Sequence, residues 1–341
     1  MGAAQSFLFS RANKRKREEE ITVLNDDVLG EIFVRLDFPS LLAAMRTCKR
    51  LYGVGRRVIE RWENRGFPVS TRWMRGEEAS SSIFPFGDNL ALGQCGRITL
   101  LNCWGHYQRT VDFESRSWVW SMAEFDGRLA SGLSCGTILI WDSDGERHGT
   151  LDSDEGGVAS LVAIGDLLAS GHRSGAIRLW DKGRKCVDTL RRHADTVTAM
   201  VNFEGLLASG SRDRTIRLSD VNSGDCVRTL RGHAQGVSCL KVFGERLVSG
   251  SRDASIRWWT RSGECAKVLE LPNHAPSNLA CSEYLLFSIC KHEIRIYDTE
   301  GKLLRTMPNR DSHFLKMLCF WRGCLVTSVG DYVTMWHGKR G

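Results

Sequence analysis

Histidine, aspartate and cysteine side chains, the types that most often bind metals or transfer protons, recur throughout this 341-residue chain. It has nine histidines and 12 cysteines, but no Cys-x-x-Cys pair. Cys186, Cys226 and Cys265 instead return at intervals of about 40 residues. We therefore expect the recurring cysteines to be small buried core residues in a reducing compartment. A metal or acid–base site is the alternative interpretation of the His and Asp residues, but we predict no metal, disulfide or cofactor.

The elements that carry these side chains are copies of one sequence unit. LASGHRSGAIRLWD and LASGSRDRTIRLSD are two successive copies, and LVSGSRDASIRWWT follows them. Seven copies share a small fourth residue at a spacing of about 39 residues. These fourth residues are Gly93, Gly132, Gly171, Gly210, Gly250, Ser288 and Ser328.

Each copy predicts four short antiparallel strands. An apolar run precedes a turn signal such as Arg212-Asp213, and an alternating apolar segment follows it. Four strands per unit form one blade of a β-propeller, so residues 67–341 predict a mainly β, seven-bladed propeller. The last copy ends after its third strand, and we expect residues 67–75 to supply the outer strand of that blade.

The repeats resemble the WD-repeat family. The family's buried network joins a His, a Ser, a turn Asp and a Trp indole, and one copy matches it in full with His233, Ser249, Asp253 and Trp259. In the copy before it, Ser219 replaces the tryptophan. The resemblance implies that these side chains hold each blade together.

Residues 21–66 show helical rather than strand periodicity. Apolar residues from Val28 to Leu36 fall on one stripe of an amphipathic helix, and Asn25 is a favourable N-cap. Two further short helices follow. Three short helices in about 45 residues make a marginal core, so part of their apolar surface is expected to bind a partner.

This helical module resembles an F-box. The matching positions are Leu24, Val28, Leu29, Ile32, Phe33, Leu36, Asp37, Leu41, Leu42, Cys48, Lys49 and Leu51. Asn25 stands where the family usually has a proline. A helical cap that only completes the propeller is the alternative interpretation.

An F-box followed by WD repeats resembles the substrate receptors of Skp–cullin–F-box ubiquitin ligases. The resemblance implies that the module binds a Skp-type adaptor, which links it to a cullin, while the propeller binds the protein to be ubiquitinated. The residues implied in adaptor binding are Leu24, Val28, Leu29, Ile32, Phe33, Leu36, Leu41 and Leu42. No H-E-x-x-H or phosphate-binding glycine motif occurs, and we predict a non-catalytic subunit. A scaffold outside any ligase is the second hypothesis, and a propeller enzyme is the third.

Three arginines occupy the position after the small residues of the second strand, namely Arg173, Arg212 and Arg252. Members of the family that bind phosphorylated substrates use arginines there, so the resemblance implies an acidic or phosphorylated substrate. The family's second arginine set, in the first strand, is missing. The alternative is that each arginine pairs with the neighbouring turn aspartate.

Charge and the N-terminus limit the localisation. The net charge of +7 is concentrated before residue 67, and the propeller is nearly balanced, which argues against general nucleic-acid binding. Residues 1–20 predict a disordered basic tail in which Gly2 fits the N-myristoylation pattern and 14–17 fits a nuclear import signal. A simple solvated tail is the third interpretation. We expect a cytoplasmic or nuclear protein, with membrane contact only if Gly2 is myristoylated.

Overall fold

The fold is described by a computed structural model. It describes residues 70–75, 80–101, 107–142, 144–271, 274–291, 293–308, 315–321, 324–329 and 332–336. These residues form seven four-stranded sheets, and the architecture is a seven-bladed β-propeller. Among them there is no helix of the length and apolar character that crossing a membrane requires.

The first three blades follow the chain without crossover. Blade 1 contains β2 (Ser82–Phe86), β3 (Asn89–Gly93), β4 (Arg97–Leu101) and β5 (Tyr107–Asp112). Blade 2 contains β6 (Val119–Phe125), β7 (Arg128–Leu133), β8 (Ile138–Trp141) and β9 (Arg147–Leu151). Blade 3 contains β10 (Val158–Ile164), β11 (Leu167–His172), β12 (Ile177–Trp180) and β13 (Cys186–Leu190).

The next three blades repeat this order. Blade 4 contains β14 (Val197–Phe203), β15 (Leu206–Ser211), β16 (Ile216–Ser219) and β17 (Cys226–Leu230). Blade 5 contains β18 (Val237–Phe243), β19 (Arg246–Ser251), β20 (Ser255–Trp259) and β21 (Cys265–Glu270). Blade 6 contains β22 (Asn278–Cys281), β23 (Leu286–Cys290), β24 (Glu293–Tyr297) and β25 (Leu303–Pro308).

The seventh sheet is built from strands far apart in the sequence. Its strands are β1 (Ser70–Arg75), β26 (Leu315–Trp321), β27 (Cys324–Val329) and β28 (Tyr332–Trp336). The order across the sheet is β1-β28-β27-β26, so β1 is an edge strand beside β28. Residues 73–319 and 327–333 belong to one compact unit, and the described residues 70–72, 320–321, 324–326 and 334–336 belong to a second. The predicted domain boundaries at residues 20 and 66 stay predictions.

The apolar core lies between neighbouring blades. One cluster joins Phe125 and Leu151 of blade 2 to Leu161 and Trp180 of blade 3. The first strands of successive blades lie next to each other, from β2 to β22. Antiparallel pairing alternates side chains between the two faces of each blade, so each of blades 2–5 contributes to two such contacts.

The glycine at the fourth position has a packing role at this contact in blades 3 and 4. A Cβ on Gly171 would lie 2.7 Å from Cγ1 of Val197, the first residue of the next blade. A Cβ on Gly210 would lie equally close to Cγ1 of Val237. Since carbon atoms do not approach so closely, a larger residue would push the blades apart.

The expectation that the recurring cysteines are core residues is wrong for the series Cys186, Cys226 and Cys265, and for Cys135, an exposed residue between β7 and β8. Cys186 and Cys265 are exposed and Cys226 is half-buried, because all three lie at the start of a fourth strand. Cys239 and Cys290, on the first and second strands of their blades, are buried. A repeat period shows that positions are equivalent but does not show which of them face solvent.

Blade 6 also corrects the alignment of the repeats. Ser288 pairs with Arg295 in the register in which Ser249 pairs with Arg257, so Ser288 is the third residue of its copy. Ile289 therefore occupies the fourth position, which the sequence alignment assigned to Ser288. The cause is the connection between β23 and β24, which is one residue shorter than its counterpart in blade 5.

Candidate functional site

Blade 5 brings together the four residues that its sequence pattern singled out. The imidazole of His233 lies between a carboxylate and a hydroxyl, with Nδ1 2.8 Å from Asp253 Oδ2 and Nε2 2.7 Å from Ser249 Oγ. The indole Nε1 of Trp259 donates to the same hydroxyl at 2.8 Å. With the proton on Nδ1, His233 donates to the carboxylate and accepts from the serine, so every member has a partner.

Burial and hydrogen bonding together determine the charge states of Asp253 and His233. Burial raises the pKa of Asp253, but hydrogen bonds from Ser255 and His233 outweigh it and lower the pKa to about 2. Burial lowers the pKa of His233 against the opposing effect of Asp253. The His233–Asp253 pair therefore has a structural role. Both imidazole nitrogens are already hydrogen-bonded, so neither is available for proton transfer to a ligand.

Blade 4 keeps this arrangement without the indole. His193 Nδ1 lies 2.7 Å from Asp213 Oδ2, and Nε2 lies 2.9 Å from Ser209 Oγ. Ser219 stands where blade 5 has Trp259.

Blade 3 satisfies its tryptophan by a route that sequence reasoning missed. Trp180 Nε1 donates to Ser170 Oγ at 2.8 Å, and that hydroxyl contacts Nε2 of His172 at 2.9 Å. His172 comes from the second strand itself, where blades 4 and 5 have Ser211 and Ser251. Its Nδ1 lies 3.0 Å from the carbonyl oxygen of Gly156, and burial lowers its pKa. The sequence signal for this arrangement is that blade 3 has a histidine where blades 4 and 5 have serine.

The loop before β10 carries a second feature that the sequence did not reveal. Glu155 is only 8% exposed, and its carboxylate accepts from Arg191 Nη1 at 3.0 Å and from Ser174 Oγ at 2.8 Å. Arg178 contacts Asp154 and lies 3.8 Å from Glu155 Oε1. The hydrogen bond from Arg191 lowers the pKa of Glu155 against the opposing effect of burial. Blade 3 thus buries an acidic side chain of its own between two arginines.

The three arginines of the second-strand ends are exposed in blades 3, 4 and 5. The backbone N–H of each donates at 3.0 Å to the loop before its own first strand, which holds the three at equivalent positions. Arg212 and Arg252 form no ion pair among the described residues, because Asp213 and Asp253 bond to histidine instead. The guanidinium of Arg173 lies 5.8 Å from the ring centre of Trp120, a cation–π contact.

Other predicted site residues fall outside the described part of the chain. These are the adaptor-binding residues Leu24, Val28, Leu29, Ile32, Phe33, Leu36, Leu41 and Leu42, and the acceptor Gly2. Their roles, and the localisation that follows from the tail, stay predictions. Within the described ranges, no cluster of three or more His, Cys, Asp or Glu side chains could hold a metal ion.

Comparison with known proteins gives matches in the N-terminal module and in the propeller. The family model for the F-box domain matches residues 21–59, and that for the WD domain, G-beta repeat, matches residues 184–220 and 224–260. This chain is an F-box/WD-repeat protein. The matched repeats cover the last strand of blade 3, all of blade 4 and the first three strands of blade 5. The two His–Asp pairs lie in the matched parts of blades 4 and 5. The F-box match falls on the helical stripe predicted above.

Among solved structures, the F-box/WD-repeat protein is similar to a crystal structure of the computationally designed Ika8 protein. The TM-score is 0.63 at 21% identity, and the match covers 78% of this chain and 98% of the designed one. At this identity the likeness concerns the fold alone. The search of curated proteins gives no match.

Proposed function

We propose that this protein is the substrate-recognition subunit of a Skp–cullin–F-box ubiquitin ligase. The observation that carries the proposal is the presence in one chain of an F-box match at 21–59 and a seven-bladed propeller. The F-box binds the Skp-type adaptor and, through it, the cullin. The propeller holds a protein substrate close to the ubiquitin-conjugating enzyme, so that transfer is accelerated by proximity while other subunits perform the chemistry.

The propeller offers the arginines of the second-strand ends for an acidic or phosphorylated substrate. Arg212 and Arg252 are exposed and have no ion pair among the described residues, so both guanidinium groups are available to a ligand. Guanidinium groups bind carboxylate and phosphate through paired hydrogen bonds. Arg173 adds a positive charge beside the indole of Trp120.

The ligase role is tested by affinity purification of the full chain and of Ile32→Asp, which places a charge on the predicted adaptor stripe. Val34→Asp is the matched control, because helical spacing puts residue 34 on the opposite side of the predicted helix. We expect adaptor and cullin with the wild type and the control, but neither with Ile32→Asp. Recovery of propeller partners without adaptor from the wild type would favour the scaffold hypothesis instead.

Substrate capture is tested with the double variant Arg212→Glu/Arg252→Glu. The control Arg147→Glu/Arg246→Glu makes the same charge change at two other exposed arginines. We expect the first variant to keep adaptor binding and lose the substrate, and the control to keep both. Equal substrate recovery from both variants would show that the second-strand arginines do not bind it.

A further inference from the structure

The arginine pair that holds Glu155 in blade 3 recurs in blade 4. Arg178 and Arg217 occupy the same register position of the third strand, each opposite a threonine of the fourth strand. Arg191 and Arg231 each come directly after the last residue of the fourth strand. The backbone therefore presents two guanidinium groups from equivalent places in both blades.

The carboxylate between the arginines is missing from blade 4. Glu155 lies three residues before β10, and Ala194 lies three residues before β14. The two loops correspond in register. The N–H of Arg173 donates to the carbonyl oxygen of the residue before β10, and the N–H of Arg212 donates to that of the residue before β14. An exposed alanine thus stands where blade 3 has its buried acid.

Neither arginine of blade 4 forms an ion pair with a described residue. Among the described residues, the Arg217 guanidinium makes weak contacts, to Thr229 Oγ1 at 3.4 Å and Cys226 Sγ at 3.9 Å, and its Nε is buried without a hydrogen bond. Arg231 is exposed and forms no ion pair with a described residue. Arg192, on the loop that carries Ala194, is exposed as well.

One acidic group faces this position from the neighbouring turn. Asp213 stands where blade 3 has Ser174, and its carboxylate accepts from His193 at 2.7 Å, from the backbone N–H of Ala194 at 3.1 Å and from Thr215. These bonds hold the Asp213 charge on the histidine side. An incoming anion would therefore be bound by the arginines alone, without the hydroxyl donor that Ser174 gives to Glu155.

We propose that Arg217 and Arg231, with Arg192 beside them, form an anion site that binds an acidic side chain of a partner protein. The ligand carboxylate takes the place that Glu155 takes in blade 3, where the same two arginine positions leave it 8% exposed. Blade 5 has no such site, because Glu270 ends its fourth strand and only Arg257 remains. The site uses residues other than Arg212 and Arg252, and its existence does not depend on the ligase role.

The test measures binding of a fluorescein-labelled hexaglutamate peptide to the full chain by fluorescence anisotropy. We expect Arg231→Ala to weaken binding about tenfold, as for loss of one charge-assisted hydrogen-bonded pair. Arg191→Ala is the matched control. It also removes one arginine, but that arginine is already paired with Glu155, so we expect the affinity for the peptide to stay unchanged.

Two further variants test the position of the carboxylate. Ala194→Glu supplies an internal acid and should abolish peptide binding, whereas Val187→Glu, with the same charge change on an exposed residue of β13, should not. Glu155→Ala should add a second, equivalent binding site in blade 3. Circular dichroism shows whether each variant is folded, and the Arg231 and Glu155 variants decide the matter if Ala194→Glu is not.

Wild-type affinity in both Arg231→Ala and Ala194→Glu would overturn the proposal. Loss of peptide binding only in Arg212→Glu/Arg252→Glu would likewise assign the acidic peptide to the second-strand arginines and reject the blade 4 site. Failure of the adaptor test would leave these outcomes unaffected.

Discussion

Blades 3 and 5 bury the same tryptophan–serine pair but complete it with histidines from different places. In blade 5, His233 comes from the loop before the first strand and is backed by the turn carboxylate of Asp253. In blade 3, His172 comes from the second strand and is backed by a backbone carbonyl. Both solutions leave the serine hydroxyl with a donor and an acceptor partner, because an unpaired buried polar group is costly.

The difference has a consequence for the loops. Since His172 serves the network from inside the strand, the loop of blade 3 no longer has to provide a histidine. Asp154 and Glu155 stand at its end and bind Arg178 and Arg191. The fold requires a satisfied serine and tryptophan, but it leaves the remaining loop positions free to vary in charge. Candidate binding residues therefore differ between blades that share one backbone.

The largest effect is expected from breaking the blade 5 network. His233→Ala leaves Asp253 and Ser249 buried without their partner, which costs about 3 kcal/mol of unfolding free energy. Urea denaturation measures it. His148→Ala removes an exposed ring and should change stability by less than about 0.5 kcal/mol. Equal stability of the two variants would mean that the network contributes nothing.

A smaller loss is expected when the blade 3 histidine is removed. His172→Ala also creates a buried gap, but the groups left behind are a hydroxyl and a carbonyl rather than a carboxylate, so we expect about 2 kcal/mol. The same urea measurement applies. A loss larger than that of His233→Ala would contradict the view that the buried carboxylate makes the difference.

Acid should destabilise the propeller through the same histidines. Burial lowers the pKa of His172 and His233 below the ordinary value of 6.5. The unfolded chain therefore binds more protons below pH 6.5, and stability falls as the pH falls. The low pKa of Asp253, about 2 against an ordinary 3.8, extends the loss below pH 4. We expect the Tm to drop by about 5 °C between pH 7 and 5.

The control for the acid effect is the double variant His172→Gln/His233→Gln. Its Tm should depend less on pH between 7 and 5 than that of the wild type. A wild-type slope in the double variant would place the titrating groups elsewhere.

The smallest effect is expected at the ion pair of blade 3. Because Arg191 is well exposed, water replaces much of what Glu155→Ala removes, and the Tm should fall by about 2 °C or less. Asp166→Asn, at the exposed pair with Lys182, should have no measurable effect. A large fall in the Tm of Glu155→Ala would show that the Glu155–Arg191 pair is needed for stability. The arginines of blade 3 would then not be available to bind a ligand.

Because the sequence unit repeats, the blade 5 site could be predicted from the sequence alone. His233, Ser249 and Trp259 occupy fixed places in a unit that returns seven times, and blade 4 repeats the histidine contacts with His193, Ser209 and Asp213. The blade 3 site had no such signal. Glu155 and Arg191 are 36 residues apart, and only the register of four strands places one beside the other. The prediction that the recurring cysteines are buried was wrong for a related reason, because the repeat period alone does not distinguish the outermost strand from the core.

The number of blades, the four-strand unit and the residues that anchor blade 5 follow from the sequence alone, because a local pattern of apolar, turn and small residues dictates each of them. Which charges are already paired depends on the packing of the folded chain. Arg191 and Arg231 look alike in the sequence, yet one lies against a buried acid of its own chain and the other faces solvent. That distinction depends on which side chain the fold brings within reach, and it separates an arginine that stabilises the propeller from one that can bind a partner.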